Sequence, residues 1–447
     1  MDGLVYPDRR PHTGLLEYRN VYRPARVKSY NQQDGLLTLQ NMLQFTCLKD
    51  TVKVQYQISC DGYVTKMGSL DMEDKAPGEE IQIPFSADVP EKGKTYLKLI
   101  YEYCGNHPLI PQVTLLGFDE ILLKNSDGEI QKEKLFRTIC GNTADKKADL
   151  SVENTLAERL LEVEEDAVRI RINGNNFRYV YNKHKGVFES MQFEGKEYFT
   201  QPMDINIWRA PTDNDMYIKS EWFRAWYHRT VIREYETTCT LTGYEVLIHS
   251  KLSMAAPTVQ RILDINATWK IANDGRIALS MAVKKNEELP FLPRFGVRIF
   301  LQKEFEQVHY YGLGPVESYR DKCRAASHGI YKSNIEEMHV DYVRPQENGS
   351  HTDCDYVSLS DGQYGLLSLK EEKTFSFNAS VYSQEEMTCK NHNYELHKSN
   401  SSILCLDYAQ SGIGSNSCGP VLPKKYQLND AEFDFSIQLV PYKTCNQ

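Results

Sequence analysis

Four short stretches hold residues whose types and spacing admit chemistry. In "WRAPTDND" (208–215), Asp213 and Asp215 bracket an asparagine behind Trp208 and Arg209. Two acids so placed suit a hard cation or an acid–base pair. The same run equally suits a turn whose Asx side chains cap backbone amides, with Trp208 and Arg209 stacked behind. In "HTDCDY" (351–356), a strand would put His351, Asp353 and Asp355 on one face, as either a metal site or a solvated edge. In "SGIGSNSCGP" (411–420), three glycines and a proline make an irregular loop around Cys418, which is either a nucleophile or a packed thiol. In "YYGLGPVESYRDK" (310–322), Gly312 and Gly314 resemble part of a phosphate-binding loop, but Glu317 stands where the third glycine belongs. A tight corner is the simpler reading. Gly312 and Gly314 would then supply positive φ, Pro315 would fix the exit, and Glu317, Arg320 and Asp321 would pair around it.

The elements that must position these residues are strands. "LTLQNMLQF" (37–45), "YLKLIYEYC" (96–104), "AVRIRING" (167–174), "FRYVYNKHKGVFESMQF" (177–193), "PRFGVRIFL" (293–301) and "TFSFNASVYS" (374–383) alternate or run β-branched and aromatic. Turn signals such as "KHKG", "NDG" and "SDGQYG" punctuate them. Helical patterns are confined to "KSEWFRAWYHRTV" (219–231) and "NIEEMHV" (334–340), and no βαβ rhythm is present. The expected organisation is a short N-terminal segment (1–23) without a core of its own, a first sandwich (24–125) of immunoglobulin type, a charged linker (126–150), and one long all-β unit (151–447).

The 447 residues carry a net charge of -9, so a surface for nucleic acid is not expected. No apolar run is long enough to span a membrane, and "MDGLVYPDRRPH" lacks a signal-peptide pattern. Eleven scattered cysteines without a CxxC pair read as reduced thiols of a cytoplasmic protein.

Five stretches in order, "DGLVYPDRRPHTGLLEYRNVYRP", "WRAPTDND", "YYGLGPVESYRDKCRAASHGIY", "YVRPQENGSHTD" and "LDYAQSGIGSNSCGP", resemble the C-terminal half of the lactase-type bacterial β-galactosidases of glycoside hydrolase family 2. The resemblance runs over essentially the whole chain. It implies an all-β fold: an immunoglobulin-like β-sandwich followed by the small-chain β-supersandwich, which is similar to galactose mutarotase. Residues 1–23 would be the tail of an upstream TIM barrel. Trp208, Arg209, Asp213, Asp215, Gly312, Gly314, Glu317, Arg320, Glu347 and Asn348 would then be structural-motif residues. Asp2 would stand near a sodium ion at the barrel mouth. Asn416, Ser417 and Cys418 would rim the substrate site, with Cys418 near the place of a tryptophan that stacks on the sugar in some members.

Family members are retaining enzymes whose two carboxyl groups stand about 5 Å apart. The resemblance places both upstream of Met1, so no catalytic residue is expected in this chain and the chain alone is expected to be inactive. Mg²⁺ and Na⁺ are implied for the complete enzyme only. The implied partners are the upstream catalytic portion, a galactoside and further copies of the enzyme. Two other readings stand beside this one. A carbohydrate-binding module would expose rings such as Trp222, Trp226 or Tyr356. A mutarotase-like epimerase would need an acid–base pair drawn from Glu347, His309 and His351.

Overall fold

The structure is a computed structural model and describes residues 3–126, 161–415 and 419–444. The chain is all-β, as its alternating runs dictate. The first sandwich has seven strands in two antiparallel sheets. Ala25–Asn31, Leu36–Asn41 and Glu80–Pro84 form one. Tyr63–Leu70, Val52–Cys60, Gly93–Tyr103 and Leu115–Ser126 form the other. Period-two alternation sends Leu37, Leu39, Ile81 and Ile83 inward from one sheet to meet Val54, Ile58, Leu97 and Leu99 from the other.

The large sandwich begins after Leu161. A nine-stranded antiparallel sheet runs from the edge strand Val231–Thr242 to the opposite edge Ser327–Asn334. A five-stranded sheet faces it, in the order Asp204–Asn206, Arg294–Gln302, Ser401–Gln410, Phe375–Ser380 and Ser350–Cys354. A second five-stranded sheet, built from residues 162–197, joins the same core. Phe188 from that sheet sits 5.0 Å edge-on to Trp269 of the large one. The linker expected at 126–150 lies, beyond Ser126, outside the described residues.

Helices are few. α1 (Thr13–Val21) was not legible as a helix; its N-cap His12 makes no capping bond, so its own sequence supplies little. Its contacts are tertiary. Asn20 accepts from the Phe118 amide of the first sandwich (2.7 Å) and donates to the Arg324 carbonyl of the second (2.8 Å). Glu17 accepts from the Arg324 and Ala325 amides. α2 (Ile218–Arg224) is shorter than the pattern at 219–231 predicts, because Trp226 turns left-handed (φ 57°) and a 3-10 turn follows. Residues 335–338, within the second expected helix, form only a turn. α3 (Gln384–Cys389) is capped by Ser383.

The joint between the sandwiches is charged. The His328 ring lies between Glu120 of the first sandwich and Asp353 of the second, each 2.7 Å from one ring nitrogen. It stacks on Tyr96 with centroids 4.2 Å apart. Lys94 reaches Asp355 (3.2 Å) and Asp353 (3.7 Å), and Lys370 meets Asp355. Burial alone would lower the His328 pKa, but Asp353 and Glu120 outweigh it and hold the pKa above 6.5. A raised histidine pKa contributes stability below the ordinary value and loses it as pH rises through the folded value. Wild-type thermal stability should therefore fall more between neutral and alkaline pH than that of His328→Asn. Parallel profiles for the two proteins would contradict this account of the joint.

Candidate functional site: a loop held by buried charges

The site is built from distant stretches of the chain. In the first, Thr212 and Asp215 cap each other across the 3-10 turn Asp213–Asp215. Asp215 accepts from the Thr212 amide (2.9 Å) and hydroxyl (3.0 Å). Arg209 is wholly buried and forks onto Asp215, with Nη2 at 2.7 Å and Nε at 3.2 Å. The guanidinium lies over the Trp222 ring (5.3 Å), so its aromatic partner is Trp222 and not the expected Trp208. Trp208 instead donates to Thr388 and meets Phe223 edge-on. Arg209 still has donors to spare. They go to the carbonyls of Ser411 and Gly412, while the Asn214 amide donates to the Ile413 carbonyl.

In the second stretch, Gly312 and Gly314 end a strand with ordinary negative φ, which corrects the expected positive-φ corner. What they supply is room. A Cβ on Gly312 would lie 2.3 Å from the Cys354 sulfur, and one on Gly314 would lie 2.2 Å from the Tyr310 hydroxyl. The expected pairing of Glu317 with Arg320 and Asp321 does not form. Arg320 is exposed, and Glu317 is buried with Lys322 as its cation at 2.6 Å. Glu317 also accepts from Thr13 of α1 (2.8 Å), Tyr342 (2.6 Å) and the Gly349 amide (2.9 Å). Burial would raise its pKa, but Lys322, Tyr342 and Gly349 together hold it at about 2. Asp321 turns the other way and accepts from the amides of Ile413 (2.9 Å) and Gly414 (2.8 Å).

Arg294, Asp407 and the segment 346–348 close the network. Arg294 forks onto Asp407 and places Nη1 3.1 Å from Glu347. All three are buried, and burial raises the pKa of both acids against the pull of Arg294. Gln346 accepts from the Asp213 amide, and the Glu347 amide donates to Ala210, so this segment abuts the first stretch. Asn348 holds the same bend, accepting from Val340 and donating to the Gln346 carbonyl. Each of these carboxylates is thus engaged by an arginine, a lysine or backbone amides. Asp321 directly, and Asp215 through Arg209, fix the backbone of residues 411–414, while Glu317, Glu347 and Asp407 hold the surrounding segments.

The other sequence candidates fall elsewhere. A register shift between His351 and Cys354, with Asp353 at φ 52°, breaks the single strand face. His351 turns inward to Tyr310 and the Leu313 carbonyl, while Asp353 and Asp355 serve the joint described above. The metal alternative for these three residues is therefore not assembled, and neither is the single solvated face. His309 lies beside Tyr356 and Glu347 beside Arg294, so neither shares a hydrogen bond with His351. Trp222 and Tyr356 are buried and Trp226 is half-buried under Arg229, which removes two of the three rings proposed for sugar stacking. A concavity of about 660 Å³ on the outer face of the nine-stranded sheet, lined by Glu245, Lys270, Arg276, Ser280, Glu371 and Asp434, has no aromatic ring in its lining. Asp2, Asn416, Ser417 and Cys418 lie outside the described residues. Among the described residues, no helix is long and apolar enough to cross a membrane.

Sequence reasoning missed Lys322, Thr13, Arg294 and Asp407 as network members. Arg294 and Asp407 left a trace, since each is a charge in a largely apolar, buried strand.

Comparison with known proteins agrees with these motifs. The family described as "Beta galactosidase small chain" matches residues 173–439, more than half of the chain. A β-galactosidase of Actinobacillus pleuropneumoniae is 38% identical over 447 residues, covering 100% of this chain and 42% of that protein. One from Staphylococcus xylosus is 31% identical, covering 98% of this chain and 42% of its own length. The chain thus spans about two fifths of the length of these curated relatives. Among solved structures, a galactose 1-epimerase from Lactobacillus acidophilus overlays on 64% of this chain and 100% of its own. Its identity is 8% and its TM-score 0.35, a likeness too weak to bear on the fold. Motifs, sheets and family match agree, and the chain belongs to the β-galactosidase small-chain family.

Proposed function

We propose that this chain is the non-catalytic C-terminal region of a β-galactosidase that hydrolyses terminal β-D-galactosides of the lactose type with retention of configuration. Residues 1–23 are the tail of the catalytic barrel, 24–125 the second immunoglobulin-like domain, and 151–447 the small-chain supersandwich. The acid–base and nucleophilic carboxyls, about 5 Å apart in a retaining enzyme, belong to the upstream portion. Mg²⁺ and Na⁺ belong to the complete enzyme, with Asp2 the one residue of this chain assigned near sodium. The complete protein is a cytoplasmic homo-oligomer in this reading.

One observation carries the proposal beyond family membership. The turn at 317–322 holds α1 through Thr13 and holds the glycine loop through Asp321. The loop leading to Asn416, Ser417 and Cys418 therefore stands beside the segment read as the end of the barrel. This proximity supports reading the loop as part of the rim of the substrate site. Mixing this chain with a separately produced upstream portion should give one co-eluting complex on size exclusion. Separate elution at micromolar concentration would count against the assignment.

A further inference from the structure

We propose that Asp321 is a positioning residue, setting the course of the loop Ser411–Gly414, and that the affinity of the assembled enzyme for its galactoside depends on that course. The inference rests on the rim reading above. Glycines at 412 and 414 leave this loop the widest backbone freedom, so side chains from outside must fix it. Asp321 does so from one side. Its two carboxylate oxygens accept from consecutive amides, Ile413 at 2.9 Å and Gly414 at 2.8 Å. These are charge-assisted bonds, about twice as strong as neutral ones. From the other side, Arg209 and Asn214 take the carbonyls of Ser411, Gly412 and Ile413. A Cβ on Gly412 would lie 2.4 Å from the Asp321 carboxylate, so the glycine permits the approach.

Asp321 cannot shift alone. The turn around it is closed by reciprocal hydrogen bonds between Tyr319 and Lys322, of 2.8 and 3.1 Å. Lys322 is bound to Glu317 and Thr13, and the next amides, Arg324 and Ala325, are bound to Glu17. The loop is therefore referenced to α1 as well as to its own sheet. A displacement of α1 carries the turn and the loop with it.

The test uses Asp321→Asn and Gly412→Ala in the enzyme that contains this chain together with its catalytic portion. The first removes one acceptor; the second pushes the carboxylate away without changing charge. Each should raise KM for a chromogenic β-galactoside by about tenfold, the scale of one charge-assisted hydrogen bond, with kcat little changed. Hydrogen exchange at the Ile413 and Gly414 amides should quicken while the strand Ser401–Gln410 stays protected. An unchanged KM with faster exchange would overturn the positioning role, as would unchanged exchange. Alanine at Asn416, Ser417 and Cys418 together separates the two claims. A KM effect there but not at Asp321 sinks this inference alone, and no effect at either sinks the rim reading with it.

Discussion

Arg294→Met should destabilise the large sandwich by about 3–5 kcal/mol, the cost of stripping the partner from a buried charge. The guanidinium is wholly buried and forks onto Asp407 while serving Glu347. Both acids already have pKa values raised by burial, so without Arg294 they meet a low-dielectric interior with the larger part of their compensation gone. The variant should recover part of its loss at acid pH, where both acids are neutral. Glu347→Gln is the contrasting control. Its amide oxygen keeps the bond from Nη1, and Glu347 Oε2 has no hydrogen-bond partner to lose. That change should cost about 1 kcal/mol or less. Denaturant unfolding of the three proteins at neutral pH decides the matter. An Arg294→Met variant as stable as the wild type would refute the role given to this cluster.

The second large effect concerns Glu317. Its folded pKa of about 2 lies below the ordinary 4.5, so its contribution is present above 4.5 and is lost as pH falls toward 2. At about 1.4 kcal/mol per pKa unit, the contribution at neutral pH is about 3 kcal/mol. Glu317→Gln should lose most of it and leave the Lys322 ammonium without its carboxylate. Because Glu317 also receives Thr13, the same variant should release α1 and open the Arg19–Asn20 bond to trypsin sooner than in the wild type. Stability measured from pH 6 to pH 3 should fall steeply for the wild type and less steeply for the variant. Equal slopes would mean that Glu317 does not carry the acid response.

Much of the fold is legible because strands alternate where one face is open and run apolar, β-branched and aromatic where both are buried. The runs read at 96–104, 177–193 and 293–301 correspond to Gly93–Tyr103, to the hairpin Phe177–Asn182 with Val187–Phe193, and to Arg294–Gln302. What failed was whatever depends on distant partners. α1 is helical because Glu17 and Asn20 find backbone groups some 100 to 300 residues away, and no local pattern encodes that. Backbone freedom is the usual local reason for glycine, but Gly312 is constrained by the Cys354 sulfur on another strand, and Gly314 by the Tyr310 hydroxyl of its own strand and the Tyr331 ring of the next. The site divided the same way. Its motifs stood out in the sequence as compact polar runs, but nothing in "WRAPTDND" reveals that Arg209 reaches residues 411 and 412. A buried charge inside an apolar strand, as in "PRFGVRIFL" and "LDYAQ", is the readable sign of such a network.

The central claim is that this chain completes a β-galactosidase without containing its catalytic carboxyls. The measurement that tests it most directly is hydrolysis of a chromogenic β-galactoside by the purified chain, alone and after mixing with a separately made catalytic portion. The account predicts no hydrolysis by the chain alone and hydrolysis on mixing. Hydrolysis by the chain alone would contradict it and place the reacting carboxyls within these 447 residues.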